Sequence, residues 1–105
     1  MNSDNMISAR YIHFYFLNLI NAFYKILPMA ENREPTRNEN MLSLRCEMLG
    51  MQGLIESLSN NTGFLSLLSI LTYFIDNPNC EKAIVKREVF KAISICKHIA
   101  AEFER

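Results

Sequence analysis

The chain has 105 residues and a mass of 12.2 kDa, so at about 100 to 200 residues per domain it holds one domain and excludes a two-domain enzyme. Its 11 basic and 11 acidic side chains cancel and the pI is about 6.7, so no global field draws it to nucleic acid and any charge argument has to be local. Half of the residues are apolar, with 3 glycines and 3 prolines, which is too hydrophobic for a disordered chain and too poor in turn formers for a many-stranded sandwich. An all-α fold is expected: a small bundle of three core helices with an aromatic helix before it.

Residues 1–28 differ in kind from the rest. Phe, Tyr, Ile, Asn and Lys supply 15 of those 28 positions but 23 of the remaining 77, and all five have AT-rich codons. Two expectations follow. Either the segment is a translated upstream extension and the functional start is Met29, or it is an amphipathic helix over about residues 7–27, closed by Pro28, whose aromatics cover the rest of the fold. The apolar run from Tyr11 to Leu27 is interrupted by His13, Asn18, Asn21 and Lys25. A membrane span needs about 20 predominantly apolar residues, so membrane association is not expected.

Residues 29–40 are polar, carry Pro35 and show no hydrophobic period, which reads as a linker before a helical regulatory domain at 41–105. A helix is then expected over 39–59. In it Met41, Leu44, Met48, Met51, Ile55 and Leu58 are spaced three, four, three, four and three, a heptad seam. Such a seam serves either the chain's own core or a contact with another chain, and both readings stay open at this level. On the opposite face Cys46, Gly50, Gly53 and Ser57 form a stripe of small side chains that another backbone could approach closely. The competing reading is loosely packed surface, because helical glycine is often merely tolerated.

Asn60 to Gly63 break the period and offer capping side chains for a helix at about 63–76. That helix is apolar around most of its circumference, more than a lone small chain is expected to cover. After Asn77-Pro78-Asn79, with Asn79 as the expected cap, a last helix runs from about 80 to 104. Ile84, Val85, Val89, Ala92, Ile93, Cys96, Ile99, Ala100 and Phe103 form its apolar stripe. Lys82, Lys86, Arg87, Lys91 and Lys97 lie outside that stripe, as either a solvated face or a phosphate-binding surface for DNA.

Nucleophilic catalysis needs a base within hydrogen-bond reach of a Ser or Cys. His13 stands in the first segment, and His98 is two residues from Cys96, which on a helix points the two in different directions. No phosphate-cradling glycine loop, HExxH or EF-hand loop occurs, so no enzymatic role, catalytic residue, metal or cofactor is expected. The three cysteines form no CxxC pair and are odd in number, which favours a reducing cytoplasm over a disulfide framework. They read as small buried hydrophobes, with Cys80, in a turn, as the exposed one.

Glu47-Met48-Leu49-Gly50, then Leu54, Ile55 and Leu58, the polar turn Ser59 to Gly63, the apolar run to Ile75-Asp76 and a closing amphipathic helix stand in an order that resembles the enterobacterial AriR/YmgB family. The resemblance covers about residues 43–100, and Leu49 and Gly50 are the positions that match its shared Leu-Gly step. It implies a cytoplasmic, all-α homodimer that connects to two-component signalling, notably the Rcs phosphorelay, with effects on biofilm formation and acid resistance, and DNA contact has been proposed within the family. This chain departs at Phe64-Leu65-Ser66, where the family commonly has a basic residue, and in its aromatic first segment.

The leading expectation is therefore a small non-enzymatic regulator that works by helix-mediated contact through Met41, Leu44, Met48, Met51, Ile55 and Leu58, as a homodimer or with a signalling partner. The alternatives are a DNA-binding modulator using the basic residues of the last helix, and a small chaperone or anti-adaptor that masks a client helix.

Overall fold

A computed structural model describes residues 8–32 and 35–103, in which five helices and no strand occur: α1 (Ala9–Glu31), α2 (Arg37–Leu54), α3 (Glu56–Ser59), α4 (Thr62–Asp76) and α5 (Lys82–Glu102). The fold is all-α. The expected upstream segment and helix start at residues 1–7, part of the expected linker at 33 and 34, and the expected last helical residue 104 lie outside the described residues.

α1 starts on a side-chain cap, with Ser8 Oγ accepting from the Tyr11 amide at 3.1 Å. Ile12, Phe16, Leu19, Phe23 and Ile26 then recur at four, three, four and three and are all buried. The helix does not end at Pro28, as the sequence suggests, but runs on to Glu31. Proline removes one amide and crowds the carbonyl four residues back. Pro28 stands exposed in the last turn, where water can take up the orphaned carbonyl and only one turn follows.

The most extensive helix pair is α1 against α5. His13 Nδ1 meets the Ala100 oxygen at 2.7 Å near one end, and the rings of Tyr24 and Phe90 meet edge-on at 6.0 Å toward the other, so the two helices run antiparallel. Phe16 also meets Phe64 of α4 edge-on at 5.8 Å, which ties the first helix into the centre. The core is one cluster fed by all five helices.

The expected single helix at 39–59 is interrupted. Ile55 is extended, with φ −118° and ψ 103°, so α2 ends at Leu54 and α3 adds one short turn. A β-branched residue two positions after Gly53 is a weak point in a helix, and the break turns both Ile55 and Leu58 fully into the core. The expected linker is also shorter than 29–40, because residues 29–31 belong to α1 and residues 37–40 to α2.

Asn61 caps α4, its Oδ1 accepting from the Phe64 amide at 2.9 Å, and Asn77 closes it, its Nδ2 donating to the Tyr73 carbonyl at 2.9 Å. Gly63 sits at a close approach. A Cβ there would lie 3.2 Å from Asn61 Oδ1 and from the ends of Ile95 and Ile99, so its absence lets the start of α4 approach α5. Phe64, Leu67, Ile70, Leu71 and Phe74 are buried within this one chain, which corrects the expectation that a lone chain could not cover the apolar helix. α5 is capped at Glu81, not Asn79, and the Glu81 side chain makes no capping bond.

Candidate interaction site

Met41, Met48, Met51, Ile55 and Leu58 are buried in the chain's own core, and Leu44 is half-buried beside them. Of the two readings of the seam, the structure takes the intramolecular one for these five. α2, which carries Met41, Leu44, Met48 and Met51, packs chiefly against α4, with a lighter contact to α1. Arg45 Nη1 donates to Thr72 Oγ1 at 3.2 Å across the first interface, and the Tyr15 hydroxyl donates to Glu47 Oε2 at 3.4 Å across the second. Burial and the neighbouring Glu47 carboxylate push the Tyr15 hydroxyl well above the usual tyrosine range, so it stays protonated and keeps donating.

Because α1 and α2 touch only lightly, a cleft of about 730 Å³ opens between them. Ile26, Met41 and Leu44 form its apolar floor; Asn18, Asn21 and Asn40 stand on its walls, and Lys25 is the charged group at its edge. Of the seam residues at this cleft, Leu44 keeps exposed surface, whereas Met41 lies beneath it at 1% exposure. Asn40 Nδ2 lies 3.3 Å from Met29 Sδ and closes the end of the cleft nearest the α1–α2 turn. An apolar floor with a few convergent amides is the usual make-up of a binding groove.

The stripe of Cys46, Gly50, Gly53 and Ser57 is exposed. A Cβ built on Gly50 or Gly53 meets nothing within 4 Å, so within the chain no backbone approaches there. Leu49 is likewise exposed, at 48%.

Lys82, Lys86, Arg87, Lys91 and Lys97 are all exposed on α5 but do not form one face. Lys82 and Lys86 stand on the α1 side, beside Leu27 and Ala30, whereas Lys91 stands on the α4 side with Glu88, Leu65 and Tyr73. Arg87 Nε is already paired with Glu88 Oε2 at 3.2 Å. A phosphate backbone would meet a split and partly neutralised set of charges.

His13 is held by its bond to Ala100, His98 is exposed, and Cys96 is buried, so the histidines and Cys96 are not brought together. Burial pushes the Cys96 thiol up to about 12. Cys46 is the exposed cysteine and Cys80 is half-buried, the reverse of the expectation for the turn. Among the described residues no group of three or more His, Cys, Asp or Glu is placed to hold a metal ion, and no helix is long and apolar enough to cross a membrane.

Sequence reasoning missed Arg37, the one charged side chain buried among the described residues, at 6% exposure. Its position in a polar run gave no signal; in the fold its Nη2 donates to the Phe74 carbonyl at the end of α4, at 3.4 Å. Compared with known proteins, the chain matches no family model, no curated protein and no solved structure.

Proposed function

We propose that this protein is a small non-enzymatic regulator that acts by helix-mediated protein contact, with the α1–α2 cleft as the contact surface and a second copy of the chain as its first occupant. The observation that carries this reading is the cleft itself, with Met41 and Leu44 on its floor and amide side chains on its walls. Tyr11, exposed two turns before Asn18 on the same side of α1, continues the strip. Exposed large apolar side chains also stand elsewhere on α1, at Phe14, Leu17 and Tyr24, which a monomer leaves in water.

Within that reading, the resemblance over residues 43–100 supports a cytoplasmic connector of two-component signalling that influences biofilm formation and acid resistance. The exposed Leu49 and Gly50 would then belong to the surface that meets the signalling partner.

Light scattering on the full chain is the test. The expected mass is twice that of the 12.2 kDa chain, and Asn21→Arg, on the exposed wall, should return it to the monomer with its helical spectrum intact. A monomer at all concentrations that captures a single stoichiometric client would replace self-association by the client-masking role. An Asn21→Arg chain that still dimerises would move the contact off this cleft.

A further inference from the structure

We infer that the outward face of the α1–α5 pair is a docking surface for an anionic lipid bilayer, on which the protein lies without crossing it. The inference goes beyond the proposed contact at the α1–α2 cleft and uses the other side of α1.

Four large apolar side chains make up this face: Phe14, Leu17 and Tyr24 of α1 and Phe90 of α5, exposed at 50%, 38%, 42% and 44%. They are continuous rather than scattered. Leu17, the half-buried Ile20 and Tyr24 follow one another at three and four on one side of α1, Phe14 stands one turn before Leu17, and the Tyr24 ring meets Phe90 edge-on at 6.0 Å. The contact with Phe90 puts this stripe on the α5 side of α1, whereas Asn18, Asn21, Ala22 and Lys25 line the α1–α2 cleft on the other. None of the four apolar residues lines that cleft, so they form a ridge and not a groove.

α1 has 23 residues and α5 has 21, so each is about 30 to 35 Å long. Within a molecule of 45 × 21 × 19 Å, helices of that length lie along the long axis, and the ridge runs lengthwise down one flank. A helix pair laid flat on this flank buries its aromatics at the boundary of headgroups and acyl chains, with the Tyr24 phenol at the water side. The expectation against a membrane concerned a spanning helix, which needs about 20 apolar residues. A surface-lying helix needs only one apolar face.

Charge selects the occupant. Residues 8–30 and 89–101 contain no Asp or Glu, yet they carry Arg10, Lys25, Lys91 and Lys97. Arg10 lies over the Phe14 ring at 5.8 Å, and Lys97 stands two turns after Phe90 on the same face of α5. Among the described residues the one ion pair is Arg87 with Glu88, so no described carboxylate neutralises Arg10 or Lys97. A second copy laid on this ridge would set these cations against their own equivalents. An anionic headgroup layer meets them with opposite charge, and a lipid surface yields to a convex ridge where a preformed protein groove must match it.

The test is co-sedimentation of the full chain with vesicles of phosphatidylcholine alone and of phosphatidylcholine mixed equally with phosphatidylglycerol. Binding to the mixed vesicles is expected at low salt, falling as salt screens the charges, with little binding to phosphatidylcholine alone. The chain has no tryptophan, so Leu17→Trp and Leu54→Trp each introduce a single reporter, the first on the ridge and the second exposed on α2. Emission from the first should shift to the blue on mixed vesicles and be quenched by a brominated lipid, while the second does not respond. Phe90→Ser, with its helical spectrum unchanged, should weaken binding at least about tenfold, and Lys97→Gln about fivefold. Absence of binding to either vesicle, equal binding to both, or an equal response from the two reporters would overturn the surface. So would a dimer that Phe90→Ser returns to the monomer, which would give the ridge to a second copy.

Discussion

His13 of α1 donates from Nδ1 to the main-chain oxygen of Ala100 of α5 across 87 positions of sequence, at 2.7 Å. A carbonyl can only accept, so the ring carries its hydrogen on Nδ1. The Ala100 oxygen belongs to the last turn of α5, where intrahelical partners run out, and it also receives the Phe103 amide at 3.2 Å. The histidine thus closes the end of one helix with a side chain from another. His13→Ala should cost about 1 kcal/mol of unfolding free energy, as a half-buried hydrogen bond of this kind does, measured by urea denaturation. No change in the midpoint would mean that water replaces the ring without loss.

Phe16 and Phe23 are fully buried, with Phe16 edge-on to Phe64. Phe16→Ala should destabilise by about 3 to 5 kcal/mol, a large share of the 5 to 15 kcal/mol typical of a domain. A chain beginning at Met29 loses five buried α1 side chains and bares the face of α5 against which α1 packs. It should unfold or aggregate, as seen by circular dichroism and light scattering. A stable, soluble helical monomer from Met29 would show that α1 is dispensable and favour the upstream-extension reading.

Met48 is fully buried, so Met48→Lys places an ammonium in the core with no partner. Loss of folding at all protein concentrations is expected, rather than weakened association of a folded chain. A folded Met48→Lys monomer would return the seam to an intermolecular role.

Gly50 and Gly53 stand in α2 with open space where a Cβ would point. Each replaced by Ala should stabilise by about 0.5 to 1 kcal/mol, read as a raised thermal midpoint with unchanged association. A drop in association on either change would mark that face as a close-packed contact with another chain.

Cys96 is buried and its thiol is pushed up to about 12 from an unfolded value near 9. Above pH 9 the unfolded chain sheds a proton that the folded one keeps, so this group's stabilisation is full below pH 9 and is lost as pH rises toward 12. Cys46 should react with a thiol reagent at once and Cys96 only on unfolding. Equal rates for the two would overturn the burial.

Local signals carried far in this sequence. The three-four spacing of Ile12, Phe16, Leu19, Phe23 and Ile26, the Asn61 cap and the Val85 to Ala100 stripe each report a preference that neighbours along the chain already decide. Where reading failed, two distant segments were competing for the same surface. The end of α1 beyond Pro28, the break at Ile55 and the burial of Arg37 are set by what lies across the core, which periodicity along one helix does not contain.

The amino-acid sequence by itself therefore determined an all-α chain, the existence of its long helices and which residues line their apolar stripes, because amphipathic period and capping are local properties. Only the tertiary structure decided that the Met41 to Leu58 seam turns inward, that Cys46 and not Cys80 faces water, that the basic residues of α5 divide between two sides, and that a cleft stays open between α1 and α2. An apolar stripe states that something must cover it; which helix does so depends on how all of them pack at once.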